Sequence, residues 1–262
     1  MAGKQPSIAF IGDLTVDVYP QKHRVHLSGS SLNSSVWVKR LGATPSIIAA
    51  VGEDALGNKF LQKLKREDID ATHVRILPGN TSSIEIFTDT GGEHRFGDWH
   101  PGVLAKFHLN KSDAAFLKTQ DAVSLTVYGP TQHLLDEFVR VGVNKKRRFP
   151  LLSVDFDDLS QLGKDAGVVE TCMGVLDVAF LGLDKEYDED RINRLKQIAA
   201  STGKLIVVTL AAYGAVAFMG NKSFIQSPPP VRVKDTTGAG DAFLAGFLVS
   251  YLNTRSVQKA LA

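Results

Sequence analysis

Residues 231–252 read VRVKDTTGAGDAFLAGFLVSYL. The β-branched Val231 and Val233 predict a short strand leading into Asp235, Thr236 and Thr237, then Gly238-Ala239-Gly240. From Ala239 to Leu252 the pattern is helical and apolar on nearly every face, through Phe243, Leu244, Phe247, Leu248 and Val249. Such a helix has to be buried in a protein of some size. Its first turn nonetheless carries an acid, Asp241.

A glycine-flanked helix start of this kind is an anion site. Glycines let a ligand approach the backbone, and the first-turn N–H groups point outward with the positive end of the helix dipole. A transferring phosphoryl group needs such donors, and an acid beside them is placed to take the proton of an attacking hydroxyl. On the residues alone a second reading stands: Asp241 caps the helix and the glycines only make a turn. Other phosphate motifs are absent. The stretch from Gly214 to Ser223 has the wrong spacing for G-x-x-x-x-G-K-[ST], and Phe243 occupies the third glycine position of G-x-G-x-x-G.

Outward from this segment, short apolar runs alternate with helical patterns. Strands are predicted over Ser7–Gly12, Ser46–Val51, Ala122–Tyr128, Leu151–Phe156, Leu176–Leu181 and Lys204–Leu210. Helices are predicted over Leu32–Leu41, Ala55–Arg66, Thr131–Val141 and Glu189–Ala200. Several strands are apolar on both parities, as in a parallel sheet covered by helices on both faces. Two regions break the alternation. Val16–Leu27 is polar and extended, and Ser82–Asp89 with Glu93–Phe96 flanks Gly91-Gly92 as a hairpin would. These read as a small β lid, in segments around 14–30 and 82–100, on one domain spanning 1–262.

Composition narrows the class. Of 262 residues, 44% are hydrophobic and 22% charged, which excludes disorder and coiled coil as descriptions of the whole chain. Lys+Arg of 30 against Asp+Glu of 28 gives a net charge of +2, so neither a nucleic-acid nor a membrane partner is expected. The basic run Lys145–Arg148 reads as a solvated loop. The lone Cys172 excludes internal disulfides and fits a reducing, cytoplasmic location. Lid edges offer strand pairing to a second copy, so a homodimer through the lid is expected.

DTTGAGD, residues 235–241, resembles the C-terminal signature of the ribokinase-like (PfkB) carbohydrate kinases. Gly12-Asp13 with Asp17, the stretch Ser28–Asn33, Gly42-Ala43 and Val51–Gly57 resemble further motifs of that family, so the likeness runs through essentially the whole chain. It implies a three-layer α/β/α sandwich with a mostly parallel sheet and a β lid. It implies ATP-dependent transfer to a sugar hydroxyl, with Asp241 as base and the Gly238, Ala239 and Gly240 amides as anion hole. Asp17, Gly29 and Asn33 would hold the sugar. Thr209, Gly214, Glu186 and Thr237 would serve ATP with Mg²⁺, and Asp235 a monovalent cation such as K⁺.

Residues 12–20 and 96–105 further resemble the fructosamine-phosphorylating members, implying a fructosamine such as fructoselysine phosphorylated at O6, with Arg95 and Asp98 on its charged part. A kinase for another sugar or nucleoside is the alternative, and a non-catalytic sugar or nucleotide sensor a third. Three departures stand out. Ala211 replaces the first glycine of the nucleotide segment, and Leu183 replaces the asparagine paired with Glu186. The family also continues further past the catalytic aspartate than Ala262, so a shortened last helix and weakened ATP binding are expected.

Overall fold

The computed structural model describes residues 5–88, 94–143, 150–158, 166–183, 189–233 and 236–262. The chain opens with β1 (Ser7–Ile11), crosses through β2 (Thr15–Tyr19) and β3 (Arg24–Ser28), and enters α1 (Ser30–Arg40). It continues through β4 (Thr44–Gly52), α2 (Ala55–Arg66), β5 (Asp70–Leu77), β6 (Ser83–Thr88) and β7 (His94–His100). There follow α3 (Lys111–Leu117), β8 (Ala122–Thr126), α4 (Gln132–Val143), β9 (Leu151–Asp158) and α5 (Gly167–Cys172). The last third holds β10 (Val178–Gly182), α6 (Glu189–Thr202), β11 (Leu205–Thr209), β12 (Ala215–Met219), β13 (Lys222–Gln226), α7 (Ala239–Thr254) and α8 (Val257–Leu261).

A nine-stranded sheet runs β13-β12-β11-β10-β9-β8-β1-β4-β5. Neighbouring strands pair in parallel except at β12, which is antiparallel to both β11 and β13. Side chains alternate between two cores as the strand period requires. Ile8 and Phe10 join α7 and α8 on one face, whereas Ala9 and Ile11 join α4 and α6 on the other. α7 buries Leu244, Ala245, Phe247, Leu248 and Val249, with Phe247 edge-on to Phe180 at 5.2 Å. Its all-round apolar pattern arises because the sheet, α1 and α8 surround it.

The expected lid is present as a second sheet, β3-β2-β6-β7, in which only β2 and β6 are parallel. Three strands went unread in the sequence: β5, β12 and β13. Conversely, residues 227–233 form no strand, and Val231 and Val233 stand 69% and 67% exposed. Their β-branched character finds no neighbouring strand to pair with, which overrides propensity.

The order of strands locates the crevice. From β1 the chain moves to β4 and β5 on one side, then returns to β8 and proceeds to β9, β10 and β11 on the other. The switch point therefore lies between β1 and β8, where open α/β sheets hold ligands beyond their strand C-termini.

Candidate active site

The crevice is built from the strand ends outward. β1 runs into Gly12 and buried Asp13, whose carboxylate accepts the Ser30 amide at the start of α1 (3.0 Å). Gly29 fits against it with φ +104°; a Cβ there would lie 2.7 Å from the Asp13 carbonyl and carboxylate oxygens. Gly29 thus has a steric reason beyond its turn. Burial raises the Asp13 pKa, and the Tyr128 hydroxyl beyond β8 pulls it back by donating to the carboxylate. Asp13 and Tyr128 therefore bridge the switch point. The family likeness includes Asp13 in its sugar-binding start but assigns it no separate role.

The lid docks on this bridge. Trp99 of β7 stacks on Tyr128 (4.8 Å between centroids), and its indole N–H donates to Ser82 Oγ (3.2 Å). Thr15 at the start of β2 donates to the same oxygen (3.0 Å). Asp54, the cap of α2, takes the Gly57 amide (2.7 Å) and both the amide (2.8 Å) and the hydroxyl (2.7 Å) of Thr81, fixing the entry to β6.

The start of α7 meets α1 at the crevice. Gly238 caps α7 in the left-handed region, φ 73°, ψ 11°, a conformation glycine adopts without strain. The Ala242 amide returns to the Gly238 carbonyl (3.0 Å) and the Ala239 amide to that of Thr236 (3.0 Å). The Ala239 N–H is thus committed to a turn. Among the described residues no backbone acceptor meets the amides of Gly238 and Gly240. Asp241, one turn in, accepts the Asn33 side-chain amide at 2.9 Å, joining residues 208 positions apart. Burial pushes the Asp241 pKa up to about 7, against the pull of Asn33 and with the charge of Asp13 adding to it.

Asn33 and Gly238 open onto a pocket of about 480 Å³ that Asp17, Ser28 and Thr237 also line. Asp17 is buried on β2, and burial raises its pKa to about 6. The structure thus brings together Asp241, Gly238, Asn33, Asp17 and Thr237 from three separate sequence segments. At the end of β9, burial and the adjacent Asp157 raise Asp155 to about 8, and Asp241 adds to it. Asp155 also accepts the Asp157 amide (3.0 Å).

The remaining expected residues lie elsewhere. Thr209 ends β11, and its carbonyl takes the Leu183 amide (3.0 Å). Ala211 sits at φ 46°, a left-handed position that suits the glycine it replaces. Gly214 is fixed by packing, since a Cβ would come within 2.1 Å of the Gln226 carbonyl. Arg95 and Asp98 lie exposed on β7 and do not line the pocket. Register pairs Arg95 with Phe87 and Trp99 with Ile84, so Arg95 and Trp99 fall on opposite faces of the lid. Glu186 and Asp235 are outside the described residues.

The model of the pfkB family carbohydrate kinases matches residues 6–135 and 178–262. The chain belongs to the pfkB family of carbohydrate kinases. It is 34% identical over 98% of its length to the fructoselysine 6-kinase of Escherichia coli (strain K12), covering 93% of that protein. A fructosamine kinase of Bacillus subtilis (strain 168) is 27% identical over 96% of this chain and 85% of its own. The Arabidopsis thaliana ribokinase complexed with ribose and ATP shares the fold, with TM-score 0.79, 17% identity and 98% and 89% of the two chains aligned. The chain is thus a sugar or nucleoside kinase of this family.

The family implies a divalent metal with the nucleotide. Among the described residues no group of three His, Cys, Asp or Glu is disposed to hold a metal ion. The donors on offer are the Asp155 and Asp157 carboxylates, hard oxygens whose mutual repulsion a cation would relieve. That set fits Mg²⁺, which keeps water and phosphate oxygens in most of its coordination positions. Among the described residues no helix is long and apolar enough to cross a membrane.

Proposed function

We propose that this kinase phosphorylates a fructosamine such as fructoselysine at O6, with Asp241 as general base. The observation carrying the site assignment is the 2.9 Å hydrogen bond from Asn33 to Asp241, on the pocket wall beside Gly238. Support for the substrate comes from the kinship to fructosamine-phosphorylating enzymes.

Asp17 and Asn33 hold sugar hydroxyls and bring one of them to the Asp241 carboxylate, which takes its proton as the oxygen attacks the γ-phosphoryl group. A base with a pKa of about 7 is half-ionised near neutrality, where it both accepts the proton and can release it afterwards. The amides of Gly238 and Gly240, at the positive end of α7, offset the charge that builds on the transferring oxygens. Asp155 and Asp157, with nucleotide oxygens, would hold Mg²⁺, which when bound would offset phosphate charge. The lid, anchored by Trp99 on Tyr128, keeps water from competing as acceptor.

The test is ADP release from Mg-ATP with fructoselysine, fructose, ribose and adenosine in parallel, for the native chain and Asp241→Asn. Turnover with fructoselysine that falls by about three orders of magnitude or more in Asp241→Asn, with nucleotide binding kept, is expected. Full activity in that variant removes Asp241 from the mechanism, and turnover confined to another sugar discards the fructosamine.

A further inference from the structure

The pocket has two ends of different chemistry. Its catalytic end is Asn33 with Ser28, Asp17 and Gly238. Its other end is cationic: Arg24, Arg40, Lys22 and Lys63 line it, and among the described residues Asp17 is the only carboxylate on the pocket wall. Among the described residues no carboxylate pairs with Arg24, Arg40 or Lys63. The Arg40 guanidinium lies over the Trp37 ring, 5.1 Å from its centre, and Trp37 is 41% exposed at the pocket.

Two elements measure the separation of these ends. Asn33, Trp37 and Arg40 follow one face of α1, and seven residues of helix span roughly 10 Å. Ser28 and Arg24 lie at opposite ends of β3, and four residues of strand span roughly 13 Å. A six-carbon sugar covers only roughly 6 Å at C–C bonds of about 1.5 Å, so a bare hexose seated at Asp241 leaves the cationic end empty. A lysine stem and its carboxyl carbon add roughly 8 Å when extended.

We propose that Arg40 and Arg24 bind the carboxylate of the amino-acid part of the substrate, with the Trp37 indole covering its aliphatic stem. The assignment rests on the fructosamine reading and deepens it. It moves recognition of the charged part from Arg95 and Asp98 on β7 to α1 and β3. Arginine suits this task because its planar fork meets both carboxylate oxygens, and stacking on an indole holds the fork in place without removing its charge. A phosphate on a short sugar shares the anionic chemistry but not the length.

The experiment compares kcat/KM for fructoselysine, its α-carboxamide, fructose and fructose 1-phosphate, in the native enzyme and in Arg40→Gln, Arg24→Gln and the double variant. Thermal melting checks that these exposed positions leave the fold intact. The expected result is a native preference for fructoselysine over the carboxamide of about 10-fold or more, expressed in KM, that collapses to within about 2-fold in the double variant. Equal use of acid and amide by the native enzyme overturns the proposal, as does a preference that survives both substitutions. Turnover of fructoselysine and its amide at equal rates spares the fructosamine reading while sinking this one. Turnover of neither, with arginine-dependent use of fructose 1-phosphate over fructose, sinks the fructosamine reading and gives the cationic end to phosphate instead.

Discussion

Asn33→Ala isolates the contact that joins the two halves of the site. The Asn33 amide donates to the Asp241 carboxylate at 2.9 Å and is the largest influence holding its pKa down against burial. A hydrogen bond to a charged acceptor contributes about 1.5–3 kcal/mol. At 1.36 kcal/mol per pKa unit, its loss raises Asp241 by about 1 to 2 units, from about 7 towards 8 or 9. About half of the enzyme carries the ionised base at pH 7; in the variant about a tenth to a hundredth does, so kcat there falls roughly 5- to 50-fold. The assay is coupled ADP release at saturating sugar and Mg-ATP between pH 5.5 and 9.5. The acid limb of the variant profile moves up by about 1 to 2 units and activity recovers at alkaline pH. A limb that stays put, or a loss that is uniform at every pH, refutes the claim that Asn33 tunes the base.

Two further outcomes follow from backbone and titration. Ala211→Gly is expected to stabilise the fold by up to about 1 kcal/mol, read as a shift in denaturant midpoint, because the left-handed penalty of roughly 1–2 kcal/mol at φ 46° exceeds the backbone-entropy cost of glycine; unchanged or lower stability contradicts it. Asp17, Asp241 and Asp155, at about 6, 7 and 8, sit above the ordinary carboxylate value of 3.8. The native state therefore binds more protons than the unfolded chain across this range, and stability of the ligand-free protein falls as pH rises from about 4 to 8. Urea melts along that pH series test it, and Asp155→Asn is expected to flatten the slope.

The alternation of apolar runs and helical periods exposed the central parallel sheet, because strands covered on both faces are apolar at every position. The edge strand β13 stayed hidden for the opposite reason, whereas β12 is as apolar and buried as the central strands. β13 is an edge strand whose Ile225 is 72% exposed, so neither burial nor strict alternation marks it. Val231 and Val233 carried a strand signal without a strand to pair with, which no local pattern reveals. Among candidate site residues, the glycines and Asp241 stood out through the family likeness of residues 235–241, because a glycine-flanked acid at a helix start also reads as a cap and a turn. Asp13 and Tyr128 were not, since each acquires its role only by facing the other across β1 and β8.

By itself the sequence determined the two-sided sheet, the buried α7 with its acid in the first turn, the extended segments that became the lid, and the kinship written in residues 235–241. Those properties depend on local period and residue type. The tertiary structure alone decided that Asn33 reaches Asp241 across 208 positions, that Trp99 seats the lid on Tyr128, and that the Ala239 amide closes a turn. It also placed Arg24 and Arg40, ordinary surface charges in the linear chain, at one end of the pocket with Asp241 near the other. Such pairings arise from strand order and helix packing, which bring distant segments to one edge of the sheet and leave no trace in the spacing of neighbours.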